Sequence, residues 1–318
     1  MRARVVALAL IVSLGALAPE ARTQTGGAAP GCDRKCLADI LDSYFDSIAK
    51  RDPKRLTAAP DVRVTENAAP LKFGDGLWQR GASPVSRMDA LDVEGGQVAS
   101  MAVISENGRN VIEMVRLKVL QRRVVEVETL VVRPGEGQRS DPNALLQRPH
   151  PFSDDVPATE RGTREQLIAA GAAYLDALAG SGPSFVPPPI ADAAIRVENG
   201  AQATGVARPG QPVVTLAERF RTAPERPFLP PGSGVLARRY PVVDLQRGIV
   251  LAIGTMTLHL PPGAQDGPPL HANPKPDGLR LQVLSEFFKV SGGKIQRIEA
   301  VMYDLDDPRY TTPGWPVP

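Results

Sequence analysis

Two glutamates, Glu128 and Glu299, each sit among aliphatic residues on long stretches of strand-like character. A carboxylate in apolar surroundings is pushed toward its neutral form, so its pKa climbs toward neutrality and it becomes suited to proton transfer. The competing reading is a glutamate that pairs with Arg or Lys on a neighbouring strand and fixes register. Tyr44 and Tyr174 lie on apolar helix faces, and each is either a core tyrosine with its hydroxyl at a cavity rim or a hydroxyl donor to a ligand. Glu66-Asn67 and Glu198-Asn199 end short strands before turns, which is ordinary turn chemistry for Asn beside Ala or Gly; ligand contact by Glu198 and Asn199 is the alternative. Trp78 follows a Gly-rich hairpin and reads as a core residue or as the cover of a cavity. His259 and His271 flank a long proline-rich segment, from which they can approach Glu286, but their spacing is no recognisable metal set. No metal or organic cofactor is expected. His150, between two prolines, reads as a surface residue.

Composition narrows the field. The net charge is +2 with acids and bases interspersed, so nucleic-acid binding has no electrostatic footprint. Aromatics make up 5% of the chain, which keeps any stacking surface small. No nucleophile elbow, P-loop or dinucleotide fingerprint occurs, and the Gly-rich segments fit hairpin turns instead. A small-molecule ligand remains the natural partner, with no membrane partner after removal of the leader and with self-association left open.

The first residues predict export. Arg2 and Arg4 precede an apolar run from Val5 to Leu17, the length of a signal-peptide core and short for a membrane span. Residues 1–31 are read as signal peptide and flexible leader, giving a periplasmic or extracellular protein. The two cysteines, Cys32 and Cys36, lie four residues apart at the start of a predicted helix. That spacing brings their Cα atoms to roughly 6 Å, within disulfide range, in a compartment that favours oxidation.

The elements that must position these residues occur twice. Leu37, Ile40, Leu41, Tyr44, Phe45 and Ile48 form one helix face. A second helix opens at Thr163 with a capping box to Gln166 and carries Leu167, Tyr174 and Leu178. An offset of 130 residues superposes Leu37, Tyr44 and Asp46 on Leu167, Tyr174 and Asp176. Further matches follow in order: Glu66-Asn67 with Glu198-Asn199 at 132, Asp92–Val98 with Asp244–Val250 at 152, and Lys118-Val119 with Lys289-Val290 at 171, which also pairs Glu128 with Glu299. The offset grows where the second copy carries proline-rich insertions, 222–234 and 260–278, as expected for lengthened loops. The organisation predicted is a first unit over 32–133, a linker over 134–162 crossing the surface, and a second unit over 163–318. Within each, helix precedes strands, an α+β layout.

A helix bearing Y-[FL]-D, a short strand ending in E-N and long strands ending in [KR]-[IV]-x-x-[IV]-E resemble the nuclear-transport-factor-2-like superfamily. SnoaL-type polyketide cyclases and several small lyases and isomerases belong to it. The resemblance covers about residues 32–133 and 164–303, and the tandem arrangement is similar to an uncharacterised exported family of that superfamily. It implies two cone-shaped units, each a curved antiparallel sheet wrapped around N-terminal helices. The two are expected to pack sheet to sheet as an intrachain pseudo-dimer, because both faces of the strand after Arg123 are largely apolar. The segment 79–86 is too short for the full third helix of that fold. By the resemblance, Glu299 or Glu128 would be a cone-lining base and Tyr174 or Tyr44 its hydrogen-bonding partner. The function read from this is binding of a small apolar or aromatic molecule in the cone of the second copy. The alternatives are a cofactor-independent lyase, isomerase or cyclase, and a structural or protein-interaction module with filled cones.

Overall fold

The computed structural model describes residues 31–135, 140–147, 151–180, 185–207, 209–210, 212–222, 228–260 and 278–305. The signal peptide read over the first residues, His150 and His271 lie outside the described residues.

Helix α1 (Arg34–Ala49) starts at Asp33, whose side chain accepts from the Cys36 amide, the N-cap geometry that satisfies an otherwise orphan donor. Cys32 and Cys36 form a disulfide across this first turn, with Cα atoms 5.2 Å apart. Strands β1 (Ala58–Glu66) and β2 (Ala69–Leu71) and the short helix α2 (Leu77–Arg80) lead into β3 (Ala82–Asp92), β4 (Gln97–Glu106), β5 (Arg109–Leu120) and β6 (Arg123–Val132). Asn107 and Gly108 both adopt positive φ between β4 and β5, as a two-residue hairpin twisted like its strands requires. After α3 (Pro142–Leu146) the pattern repeats: α4 (Arg164–Ala179), β7 (Ile190–Glu198), β8 (Ala201–Gln202), α5 (Leu216–Arg221), β9 (Gly234–Asp244), β10 (Ile249–His259), β11 (Leu279–Ser291) and β12 (Lys294–Asp304). Thr163 and Gln166 form the reciprocal capping box that opens α4.

The strands make two six-stranded sheets of one topology, β2-β1-β6-β5-β4-β3 and β8-β7-β12-β11-β10-β9. Each contains a parallel pair, β1 with β6 and β7 with β12, so the sheets are mixed rather than wholly antiparallel. The cause is the route of the chain: it leaves β1 through α2 to the far edge and meanders back until its last strand docks beside its first. One asparagine per lobe splints that parallel seam. Asn67 bonds the Val131 amide and carbonyl through its side chain and the Thr129 carbonyl through its backbone. Asn199 does the same with Met302 and Ala300. Both adopt positive φ, which Asn tolerates better than most residues. The molecule is more sheet than the α+β expectation, because α2, α3 and α5 are only one to two turns long.

Three cores result. One face of the first sheet buries α1 through Leu37, Leu41, Tyr44 and Ile48. The second sheet buries α4 through Leu167, Tyr174, Leu175 and Leu178. The opposite faces of both sheets share a third core, including Met101, Met114 and Leu130 from one and Leu251, Phe287 and Val301 from the other. The connecting segment contributes as well. Leu145, Phe152 and Val156 are buried, and the Phe152 ring lies 6.1 Å from that of Phe287. The linker is therefore partly core, not a purely surface crossing. Its apolar residues, spaced among prolines, carried no periodicity to show this.

Candidate functional site

The alternation of side chains along a strand decides which face each glutamate takes. On β6, Val127 and Val131 face α1, whereas Leu130 and Val132 belong to the shared core. Glu128 therefore points between the sheets and away from the first cone. There it receives Arg116 Nε at 2.7 Å and, from the other lobe, Arg239 Nη2 at 2.5 Å. Burial pushes its carboxyl up, but Arg116 and Arg239 outweigh burial and hold it below the usual glutamate range. Glu299 has the same orientation, since Ile298 and Ala300 face α4 and Val301 the shared core. It pairs with Arg297, whose Nε lies 2.8 Å away. Neither glutamate is a cone-lining base: Glu128 takes the cross-strand pairing role set against it above, whereas Glu299 pairs with an arginine two residues away on its own strand.

The cones hold other carboxylates. In the first, Glu113 of β5 is fully buried and its Oε1 accepts the Tyr44 hydroxyl at 2.5 Å, while Oε2 has no hydrogen-bond partner. Burial raises its pKa to about 8, so at pH 7 it is predominantly the neutral acid. The same burial, with Glu113 opposite, pushes the Tyr44 phenol well above its usual range. Toward the mouth, Arg133 forks onto Glu106 at 2.8 and 2.9 Å and lies 3.9 Å from Glu66. Glu66 in turn accepts the Leu77 amide and so fixes α2 across the opening. Trp78 of α2 is buried, donates to Ser47 Oγ at 2.8 Å and meets Tyr44 and Phe73 edge-on. It is a packed core residue, and the first cone is filled by these rings.

The second cone is wired differently. Arg196 of β7 stands where the first lobe has Val64, so a guanidinium enters the cone from its wall. Its Nη1 donates to the Tyr174 hydroxyl at 2.5 Å and lies 2.7 Å from Glu286 Oε1 of β11, and its Nε donates to Glu198 at 2.6 Å. Side-chain exposure falls from 22% at Glu198 to 7% at Arg196 and 0% at Glu286. One polar chain thus runs from the rim to the floor. Burial raises the Glu286 pKa, with Arg196 opposing it. Burial alone would lower the Arg196 pKa, but Glu286, Tyr174 and Glu198 hold it well above its ordinary value. Around this chain Tyr174 meets Phe220 and Phe288 edge-on, and Phe220 stacks on Phe228 at 4.3 Å. Gln282 and Arg280 are buried on the same face of β11, nearer the mouth.

The remaining candidates separate. Tyr44, Tyr174 and Glu198 belong to cone clusters. Asn199 spends both ends of its amide on Met302, so it is a splint. His259 is exposed at the end of β10, one residue beyond the inward Leu258. Among the described residues no group of acidic, His or Cys side chains is arranged to hold a metal. A separate groove of about 430 Å³ lies between the start of α4 and the β11–β12 turn, lined by Gln166, Pro189 and Gly293. Glu113 and Arg133 escaped the sequence reading, and Arg196 was given no role in it. The available signals were a lone carboxylate inside Val111–Val115 and an arginine where the other copy has valine.

Comparison with known proteins names no activity. Residues 160–302 match a family described as a domain of unknown function (DUF8021). No curated protein matches the chain. Among solved structures, it is similar to a protein of unknown function with a cystatin-like fold from Methylobium petroleophilum, at 10% identity over 33% of this chain and 81% of that one, with a TM-score of 0.28. An NTF2-like protein of unknown function from Cytophaga hutchinsonii matches at 9% identity over 35% of this chain and 94% of that one, TM-score 0.27. A de novo designed protein with a curved β-sheet matches at 13% identity over 32% and 88%, TM-score 0.26.

Proposed function

We propose that this is an exported protein that binds a small molecule, apolar or aromatic with a few polar groups, in its second cone. The observation that carries the reading is Arg196. It gathers Tyr174, Glu198 and Glu286 into a polar chain inside an aromatic-lined cone, the combination of apolar wall and few oriented polar groups that ligand sites use. The Cys32–Cys36 disulfide supports an oxidising compartment. The test is mass spectrometry of small molecules released from the protein purified from its native source. A molecule retained by the wild type and by Tyr44→Phe, but lost from Arg196→Met, supports the reading. One retained equally by all three removes the second cone from it.

A second reading, a cofactor-independent lyase, isomerase or cyclase, is favoured by Glu286, whose raised pKa and nearness to Tyr174 suit acid–base work. It replaces Glu299, which faces the wrong way. If the retained molecule is turned over, Glu286→Gln should abolish turnover while retention persists; unchanged turnover excludes Glu286 as the base.

A further inference from the structure

Arg34 is the first residue of α1 and Arg164 the first of α4, separated by the same 130 residues that relate Tyr44 to Tyr174. Asp92 and Asp244 are the last residues of β3 and β9. Each arginine reaches across to the other lobe's aspartate. Arg34 Nη1 and Nη2 lie 2.9 and 2.9 Å from the two oxygens of Asp244, and Arg164 Nη1 and Nη2 lie 3.0 and 2.5 Å from Asp92 Oδ2. Each aspartate also accepts a backbone amide from the opposite edge strand: Leu91 donates to Asp244 at 3.0 Å and Val243 to Asp92 at 2.9 Å. The arrangement is self-complementary about a pseudo-twofold axis, as in an isologous dimer interface, here closed within one chain.

An arginine in the first turn of a helix opposes the helix dipole, so neither residue is placed there for the sake of its own helix. Each must be held by its helix start, and helix starts fray unless their orphan donors are satisfied. The lobes solve this differently. Thr163 and Gln166 close a capping box around Arg164. Arg34 has the Asp33 cap and, bracketing it on both sides, the Cys32–Cys36 disulfide. We infer that the disulfide serves as the holder of Arg34 on Asp244, so that one of the two ends joining the lobes is redox-sensitive. A dithiol reductant would transfer two electrons and two protons to the S–S bond, leaving two thiols and becoming a cyclic disulfide itself. The Arg34 end would then loosen while the Arg164 end stays closed.

Amide hydrogen exchange by NMR on the full chain tests this, because Leu91 and Val243 report the two ends separately. In Cys32→Ser/Cys36→Ser, exchange at Leu91 should rise roughly tenfold or more while Val243 changes less than about twofold. Arg34→Gln in the oxidised chain should reproduce the Leu91 effect, and the combined variant should add little to either. Equal changes at both amides, no change at Leu91, or fully additive effects would overturn the inference. If the serine variant does not fold, wild type before and after dithiothreitol reduction gives the same comparison, with alkylation confirming two thiols.

Discussion

The two cones share a plan and differ in where one cation stands. Both have a tyrosine on the leading helix, a buried glutamate on the third strand of the meander and a glutamate at the rim. In the first, the arginine sits at the end of the last strand and is used at the mouth, on Glu106 and Glu66, leaving Glu113 with Tyr44 alone. In the second, it enters through β7 and bonds rim, floor and tyrosine together. The difference teaches that a duplicated scaffold can keep a tyrosine and a buried glutamate in both lobes yet place an arginine between them in one alone, with Arg196 standing where the first lobe has Val64.

The sharpest way to break that comparison is Arg196→Met. It leaves Glu198 and Glu286 without their cation, and a loss of roughly 3–5 kcal/mol in urea unfolding is expected, the cost of stranding a buried charge. Adding Glu286→Gln should recover part of it. A loss below about 1 kcal/mol, the scale of an exposed pair, would mean that the chain of contacts is not a buried unit.

Glu128→Gln probes a glutamate on the other face of the same kind of sheet. Removing a carboxylate that Arg116 and Arg239 share should cost roughly 2–4 kcal/mol at pH 7. Because the folded pKa is lowered, the contribution of Glu128 is present above the usual glutamate range and is lost as pH falls through the folded value. The variant should therefore lose less stability than wild type on acidification; an unchanged acid limb would contradict the pairing.

Glu113 has the opposite sign. Its folded pKa is raised to about 8, so its contribution is complete below the unfolded glutamate value and is lost as pH rises through the folded one. Between those limits stability should fall by up to about 1.4 kcal/mol per pH unit from this group. Glu113→Gln should flatten that slope and be the more stable protein at pH 8. An unchanged slope would show that Glu113 is ionised in the fold.

The smallest effect is Trp78→Phe. It removes the bond to Ser47 and part of the ring that plugs the first cone, and should cost about 1–2 kcal/mol. A gain in stability would show that the first cone is not closed by that ring.

Much of the frame was legible beforehand. The repeated helix face and the colinear offsets of Tyr44, Asn67, Asp92 and Glu128 indicated a tandem pair of units, each with its helix before its strands. The site was less legible, for a physical reason. Glu128 and Glu299 recur because they sit on the face where two sheets meet, and recurrence reports scaffold. Glu113 and Glu286 face the cones two rungs of the ladder apart, so no offset superposes them, and Arg196 matches only a valine. Strand period reveals that alternate residues share a face, but both faces here are buried, and the pattern cannot say which side holds the helix. The parallel seam was hidden likewise, since it depends on β1 meeting β6 across the whole meander.

The most direct test of a wired second cone beside a filled first one is hydrogen–deuterium exchange of the protein with and without the molecule it retains on purification. The account predicts protection in α4, β7 and β11, with α1 and β5 unchanged. Protection in α1 and β5, or none in either lobe, would contradict it.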